Sequence, residues 1–367
     1  MKNKKKLLIV YYSMGIGGIE KRIRDFVSEI SKTYPEWEIY FFLKDQNSSY
    51  FLDQLKARKV RFICHSYPFL GKPFVSIGFI CWYIWNYFCI APDVILTFDT
   101  NLSYAVIFLT KVLFFWKKTK VFINTSVVIS RYIVLTKARF SSRILPYIYP
   151  FADAIIAPTQ IVKNDLIKKY GIFPKKIFVI PTWTLFIPFV SKKNLQYDIA
   201  YIGRYSFEKN PFGFLEVVNL VKKQIPTIHA VMVGEGLLYR ELQQFVDIHG
   251  LHKNVTFLPF QHDVESIFHD IKLLIVPSLN EGLPNVILEA GMCSVPSIIS
   301  SFPGAHEAVI HKKTGYIATS IKKLYDYTLY LLQHESTRIA MGKNAQKRVK
   351  TYNSYVIQKK YIDLLLS

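Results

Sequence analysis

The stretch KLLIVPSLNEGLPNVILEAGMCSVPSIIS, residues 272–300, contains one complete strand, loop, helix and strand unit. Its first and last segments are short apolar runs rich in β-branched residues, which is typical of strands buried on both faces. Between them, Pro284 suits the first turn of a helix that carries Glu289. A strand, a crossover helix and a second strand predict a parallel sheet covered by helices.

The same alternation continues along the chain. In the first half the predicted strands are LLIVYY, EIYFFL, VRFIC, DVILTF, KVFINT, AIIAPT and IFVIP. In the second half they are DIAYIG, HAVMVG, NVTFL, KLLIVP, SIIS and GYIA. Residues 181–197 interrupt the alternation with prolines and polar residues, so they are the candidate linker. The sequence predicts two Rossmann-like domains, 1–185 and 186–352, and a helix in 353–367 that packs back on the first domain.

Positive charge is concentrated in the first half. The 367 residues carry a formal net charge of +21, and residues 1–190 hold 27 Lys and Arg against 11 Asp and Glu, a net charge of +16. This excess indicates an anionic partner, which could be nucleic acid, anionic lipid or a phosphorylated small molecule. The four cysteines form no CxxC pair, so the sequence indicates neither a zinc site nor a disulfide framework and favours a reducing cytosol.

Two aromatic segments lie in this basic half. Residues 74–90, FVSIGFICWYIWNYFCI, carry no charge over 17 residues, close to the lower limit for a bilayer span. Because the flanking strands belong to one predicted sheet, we interpret the segment as a helix of the core or of a membrane interface. Residues 104–120, YAVIFLTKVLFFWKKTK, join aromatics to lysines, as in elements that rest on anionic lipid headgroups. An ordinary amphipathic core helix is the alternative.

The loops that follow the strands are the candidate site, because ligands of open parallel sheets bind at the carboxyl ends of the strands. The loop SMGIGG, residues 13–18, lets backbone amides approach an anion, although a tight turn without a ligand explains it equally well. In YIGRYSFEKNP, residues 201–211, Arg204 and Lys209 follow a strand. They suit a diphosphate clamp, or they are solvated surface cations.

The loop of the quoted unit offers donors and acceptors together. The amides of Gly282 and Leu283 precede a predicted helix and would favour an anion. Glu281 could accept hydrogen bonds from the hydroxyls of a sugar, and Glu289 from the two hydroxyls of a ribose. Alternatively, Glu281 caps the helix and Glu289 pairs with a neighbouring lysine.

These motifs resemble a known family. GRYSFEKNP, VGEG, FLPF, VPSLNEGLPNVILEA, PGAHEAV and TGYI follow one another as in the donor domain of family 4 glycosyltransferases of the GT-B fold. GIGGIE and ADAIIAPT resemble that family's first domain, so the resemblance covers nearly the whole chain. It implies an α/β fold of two Rossmann-like domains facing each other across a cleft. It also implies a retaining, metal-independent transfer from a nucleotide-diphosphate sugar, with UDP as the expected nucleotide and no cofactor.

The resemblance assigns roles to particular residues. Arg204 and Lys209 neutralise the diphosphate, Glu281 faces the sugar and the phosphates, and Glu289 holds the ribose. The implied donor-binding backbone positions are Gly17, Gly18, Gly203, Gly282 and Leu283.

Two departures from the family pattern affect these expectations. Many members place a histidine near the sugar where this chain has FINTSVV, residues 122–128, so Asn124 or Ser126 is expected to contact the sugar or acceptor. The helix after Glu289 commonly ends in Gly-x-Pro, whereas Ser294 stands here, which predicts a local shift of the backbone.

We expect the acceptor to lie on the basic first domain and to be a polyprenyl-diphosphate-linked surface glycan, as in capsule or lipopolysaccharide O-antigen assembly. The protein would transfer a hexose or N-acetylhexosamine to it while bound peripherally to the anionic cytosolic membrane surface. No nucleic acid is expected, because no RRM, KH or helix-turn-helix signature is present. The alternatives are a GT-B sugar-nucleotide epimerase and a non-catalytic basic scaffold that binds glycan or nucleic acid.

Overall fold

A computed structural model describes residues 5–11, 18–43, 60–64, 77–98, 100–136, 139–183, 195–261 and 264–367. The chain divides into two compact units: unit 1 is Met1–Pro181 with Gln358–Ser367, and unit 2 is Thr182–Ile357. The division falls at the start of the predicted linker, of which residues 184–194 lie outside the described residues. Each unit contains one parallel sheet, as the alternation of strands and helices predicts.

Unit 1 is built on a seven-stranded parallel sheet with the order β3-β2-β1-β4-β5-β6-β7. Its strands are β1 Lys6–Val10, β2 Glu38–Leu43, β3 Arg61–Cys64, β4 Val94–Thr97, β5 Lys120–Asn124, β6 Ala154–Ala157 and β7 Ile177–Val179. A strand stands at each place predicted in this half of the sequence. The central strands are buried almost completely because helices cover the sheet, which explains their uninterrupted apolar sequences.

The helices of unit 1 connect these strands. Among the described residues they are α1 Gly18–Thr33, α2 Ile77–Ile90, α3 Thr100–Ile107, α4 Ile129–Thr136, α5 Arg139–Ile148 and α6 Gln160–Tyr170. A π-helical turn, Phe108–Leu113, continues α3. Local sequence sets the ends of α6: the Thr159 hydroxyl caps its first turn, and Gly171 ends it in the left-handed region at φ 65°.

Unit 2 contains a six-stranded parallel sheet with the order β10-β9-β8-β11-β12-β13. Its strands are β8 Tyr197–Ile202, β9 Ala230–Val233, β10 Val255–Leu258, β11 Ile271–Val276, β12 Ser297–Ser300 and β13 Gly315–Ala318. Its helices are α7 Pro211–Lys222, α8 Tyr239–Ile248, α9 Glu265–His269, α10 Asn285–Met292, α11 Ala305–Ala308, α12 Ile321–Gln333 and α13 Glu335–Val349. The order in which the chain forms the strands reverses between β8 and β11. Ligands of open parallel sheets bind at such a point.

The last helix, α14, spans Ser354–Leu366, and its residues from Gln358 onward belong to unit 1. Tyr361 is buried in unit 1, and its ring lies 5.3 Å from the ring of Phe26 on α1. The end of the chain therefore completes the core of the unit that the beginning of the chain builds.

Within the segment 74–90, residues 77–90 form the short helix α2, and residues 74–76 lie outside the described residues. Tyr83 and Tyr87 on one face are buried in the core of unit 1. Among the residues that the structure describes, no helix is both long and apolar enough to cross a bilayer.

Helix α10 ends differently from the sequence-based expectation. Ser294 itself adopts the left-handed conformation, at φ 59°, so the expected backbone shift is absent. The Val295 amide donates to the Ala290 carbonyl at 2.9 Å and the Ser294 amide donates to the Gly291 carbonyl at 3.0 Å. These two bonds form a Schellman motif and satisfy the last carbonyls of the helix. They hold Ser294 in a conformation that its Cβ disfavours.

Replacing Ser294 with glycine is expected to raise the free energy of unfolding by about 1 kcal/mol, because glycine adopts this conformation without steric cost. Urea unfolding followed by circular dichroism measures the change. Ser294→Ala is the matched control, since it removes the hydroxyl but keeps the Cβ, and it should not stabilise. An equal gain in both variants would assign the effect to the hydroxyl instead.

Candidate active site

The loop after β8 is fixed by local hydrogen bonds. The Gly203 amide donates to the Val233 carbonyl at 3.0 Å, and the Tyr201 hydroxyl donates to the Arg204 carbonyl at 2.7 Å. The Arg204 side chain is exposed, and within the described residues it forms no ion pair. A rigid backbone therefore presents a cation to solvent at the carboxyl edge of the sheet.

The same loop ends at the start of α7. Asn210 is left-handed at φ 49°, and its side-chain oxygen accepts from the Gly213 amide at 3.3 Å. The side-chain nitrogen of Asn210 donates to the Pro277 carbonyl, beyond the end of β11, at 3.1 Å. Leu279, in the loop after β11, also donates its amide to the Glu208 carbonyl at 2.8 Å. The loops after β8 and β11 are thus joined on both sides of Lys209.

Lys209 and Glu281 form an ion pair between these two loops. Glu281 is buried, and its carboxylate also accepts from the Ser278 hydroxyl at 3.2 Å. The Lys209 side chain is only partly buried, so its ammonium group can reach a ligand while the carboxylate holds it. The structure thus brings together two residues that the sequence placed 72 positions apart in separate motifs. Glu281 therefore pairs with Lys209. The alternative that the sequence left open was that Glu281 caps the helix.

The segment after Glu281 presents backbone donors. Helix α10 begins at Asn285 with Pro284 as its N-cap, so Pro284 lies one position before the first turn rather than in it. Among the described residues, the amides of Gly282 and Leu283 donate no hydrogen bond. Two buried amides directly before a helix form a place where negative charge is stabilised. Glu289 is half-buried on the second turn of the helix.

Gly304, after β12, contacts the candidate site, and the sequence predicted no role for it. Its amide donates to the Glu281 carbonyl at 3.2 Å. A Cβ at this position would lie 1.5 Å from the Gly282 carbonyl oxygen, so only glycine allows the two loops to pack this closely. The sequence contained one indication of this contact, the glycine of the PGAHEAV motif. The residues that this glycine contacts could not be identified without the fold.

In unit 1, the predicted residues that the structure describes lie at the start of α1 and at the end of β5. Gly18 is the first residue of α1, whereas Gly17 lies outside the described residues. Asn124 is buried and donates its amide to the Tyr361 hydroxyl, while Arg22 donates to its side-chain oxygen at 3.4 Å. The Asn124 side chain therefore bonds within unit 1. Ser126 is half-buried just beyond the strand, and its contact with sugar or acceptor stays a prediction.

Arg22 is a second residue for which the sequence predicted no role. It is buried on α1 beside the ring of Phe98, 5.9 Å from the ring centroid. Desolvation lowers the pKa of Arg22, although the nearby hydroxyls of Tyr361 and Tyr11 and the Glu20 carboxylate oppose this shift. The sequence signal was available, because Arg22 falls on the face of α1 that also carries the buried Ile23 and Phe26.

Burial raises the pKa of Tyr361 to about 12, so its folded-state value exceeds that of an exposed tyrosine. The unfolded chain releases this proton first, and the stabilising contribution is therefore complete below pH about 10 and is lost as the pH rises toward 12. We expect Tyr361→Phe to remove part of the alkaline loss of stability of unit 1. Unfolding free energies measured across this pH range in both proteins test this expectation, and parallel curves would contradict it.

Both halves of the chain match known protein families. Residues 16–184 match the model of Glycosyltransferase Family 4, and residues 186–348 match that of Glycosyl transferases group 1. A Campylobacter jejuni N-acetylgalactosamine-N,N'-diacetylbacillosaminyl-diphospho-undecaprenol 4-alpha-N-acetylgalactosaminyltransferase is 23% identical over 98% of this chain and 99% of its own. An Escherichia coli UDP-Gal:alpha-D-GlcNAc-diphosphoundecaprenol alpha-1,3-galactosyltransferase is 26% identical over 56% of this chain and 59% of its own. The chain spans about half the length of several curated relatives that it matches, 44% in one case.

Solved structures show the same fold. The Anabaena protein HepE, in complex with UDP and glucose, has a TM-score of 0.80, with 19% sequence identity over 99% of this chain and 100% of that one. Two parallel α/β units with these strand orders are the architecture of the GT-B fold. The chain belongs to the GT-B glycosyltransferases of the group 1 and family 4 type.

Proposed function

We propose that this protein is a retaining hexosyltransferase that moves a hexose or N-acetylhexosamine from a nucleotide-diphosphate sugar, with UDP as the nucleotide, to a polyprenyl-diphosphate-linked glycan. The observation that carries the proposal is the Lys209 and Glu281 ion pair beside the amides of Gly282 and Leu283. It lies at the point where the strand order of unit 2 reverses.

In the proposed reaction, the bond between the anomeric carbon and the diphosphate oxygen breaks, and the bond to the acceptor hydroxyl oxygen forms on the same face of the sugar. The hydroxyl proton passes to the departing diphosphate oxygen, so no protein nucleophile is needed. Negative charge develops on the diphosphate. Lys209, Arg204 and the two amides stabilise it, which makes a metal ion unnecessary in this scheme.

Glu281 acts mainly as a positioning residue in this scheme. Its carboxylate is held by the Ser278 hydroxyl and fixes the Lys209 ammonium in advance of donor binding. Preorganised charge stabilises a transition state without reorganisation during the reaction. Glu289, one turn into α10, is proposed to accept hydrogen bonds from the ribose of the nucleotide.

The acceptor is proposed from charge and from relatives. Residues 1–190 carry a net charge of +16, which suits an acceptor with a diphosphate group in an anionic membrane. The names of two relatives specify undecaprenol-diphosphate-linked acceptors. We therefore propose that the protein builds a surface polysaccharide while attached peripherally to the cytosolic membrane face.

The test incubates the purified protein with single sugar nucleotides and either an undecaprenyl-diphosphate-linked oligosaccharide or the same oligosaccharide without lipid. We expect release of nucleotide diphosphate, extension of the lipid-linked product with an α-linkage that NMR identifies, and unchanged turnover with chelator. Interconversion of the donor sugar without any acceptor would establish an epimerase instead. Efficient extension of the free oligosaccharide alone would overturn the proposed acceptor.

A further inference from the structure

Helix α2 is apolar on the face that points to solvent as well as on the face that packs in the core. Its inner face contributes Tyr83 and Tyr87 to the core of unit 1. Its outer face carries Cys81, Trp85 and Phe88, and 72% of Trp85 is exposed. A surface helix of a globular domain normally carries polar residues on its outer face. The outer face of α2 therefore exposes apolar side chains to water.

A second exposed apolar segment follows the π-helical turn Phe108–Leu113. Phe115 is 74% exposed and Trp116 is 59% exposed. Lys117 and Lys118 come directly after them, and both are exposed. Within the described residues neither lysine forms an ion pair, whereas Lys111 is paired with Asp153 at 2.7 Å.

Side-chain contacts join the two segments into one surface. The ring of Phe114 lies 5.0 Å from that of Phe88 and 5.6 Å from that of Trp116. The Lys117 ammonium lies over the Phe88 ring, 5.5 Å from its centroid. We call Trp85, Phe88, Phe115, Trp116, Lys117 and Lys118 the aromatic-lysine surface. It forms a contiguous apolar area bordered by cations.

This surface is separate from the candidate site residues of unit 1. Helix α2 leads into the first residue of β4, and Lys117 and Lys118 precede the first residue of β5. The Thr119 hydroxyl joins the two connections by donating to the Pro92 carbonyl at 2.8 Å. The surface thus lies toward the amino ends of the strands, while Gly18 and Ser126 follow their carboxyl ends.

We infer that the aromatic-lysine surface binds an anionic lipid bilayer, with the aromatic rings at the level of the headgroups and the lysines against their negative charge. Exposed aromatics bordered by lysines are the composition of interfacial membrane contacts. Residues 77–90 and 108–118 contain no Asp or Glu that would repel anionic lipid. A second copy of the chain fits less well, because self-association would bring two cationic surfaces together.

This inference deepens the proposed function. It rests on that function because the lipid-linked acceptor is what places a membrane near the protein. It adds the surface that makes the contact. This surface lies toward the amino ends of the strands, whereas the candidate site loops follow the carboxyl ends. Lipid that binds to the surface therefore leaves those loops accessible.

Co-sedimentation of the full chain with vesicles tests the inference. We expect binding to vesicles of phosphatidylglycerol and phosphatidylcholine but little to phosphatidylcholine alone. The triple variant Trp85→Ser, Phe115→Ser, Trp116→Ser should weaken binding by about tenfold or more. The double variant Lys117→Glu, Lys118→Glu should weaken it by at least about fivefold for each lysine, because each substitution removes a positive charge and adds a negative one, and it should reduce the dependence of binding on salt.

The matched controls are Ile248→Ser and Lys253→Glu, which change an exposed apolar side chain and an exposed lysine of unit 2 and should bind like the unaltered protein. All variants should keep the same thermal shift with the sugar nucleotide, so loss of vesicle binding is distinguished from loss of the donor site. Vesicle binding that is unchanged in the triple variant would overturn the inference. Self-association that only the triple variant loses would overturn it in favour of a second copy.

Discussion

Replacing Lys209 with alanine is expected to lower kcat by about 100- to 1,000-fold, the usual cost of removing one group that stabilises developing negative charge. The reason is its position: the ammonium group is held by Glu281 between the loops after β8 and β11. Donor affinity should fall as well, because in the proposed scheme the same cation faces the diphosphate of the bound donor. Steady-state kinetics and calorimetric titration with the sugar nucleotide measure the two effects.

Thermal stability requires its own control in this experiment. Lys209→Ala leaves the buried Glu281 carboxylate without its cation, which destabilises unit 2 independently of catalysis. The double variant Lys209→Met, Glu281→Gln removes both charges and should recover melting temperature without recovering turnover. Lys222→Ala, which loses a hydrogen bond to the Gly250 carbonyl in the same unit, should keep full activity. Wild-type turnover in the double variant would show that the pair is structural.

Replacing Gly304 with alanine is expected to lower donor affinity and turnover by about 100-fold, the effect of displacing binding groups by about 1 Å. The added Cβ would lie 1.5 Å from the Gly282 carbonyl oxygen and 3.2 Å from the Glu281 carbonyl oxygen. Both neighbours are backbone atoms and cannot rotate away. We therefore expect the 281–283 segment, which carries the Gly282 and Leu283 amides, to move, and the sheet beneath it to stay in place.

Gly250→Ala is the matched control for this substitution. Gly250 has φ 59° and an added Cβ would meet nothing within 4 Å, so the variant tests backbone strain alone. We expect it to cost about 1 kcal/mol of stability without any change in donor affinity. Calorimetric titration of both variants compares them directly. A folded Gly304→Ala protein with unchanged donor affinity would refute the proposed role of the 281–283 segment.

The sequence placed the candidate site of unit 2 in the loops after strands, and the catalytic role of the residues in these loops stays a prediction. Arg204, Lys209 and Glu281 each follow a buried strand within a few residues, and parallel strands bring their carboxyl ends to one edge. The sequence did not show that Lys209 and Glu281 contact each other, since that depends on β8 and β11 being neighbours in the sheet. It also gave no indication that Gly304 supports them.

Unit 1 was predicted less completely. The expected contact of Asn124 with sugar or acceptor stays a prediction, and the sequence did not show that its side chain bonds to Tyr361 and Arg22. Tyr361 lies 237 positions further along the chain, and no local pattern connects the two. Arg22 was detectable as a charge on a buried helical face, but the identity of its partners was not.

The sequence by itself determined the thirteen strands found among the described residues and their parallel arrangement in two units, because periodicity and turn residues act over a few positions. Its motifs separately carried the resemblance that the family matches bear out. Only the tertiary structure decided which distant residues share an ion pair, which glycine allows two loops to touch, and which face of α2 remains exposed. These features depend on strand order and packing, in which residues far apart in sequence come within a few ångströms of each other.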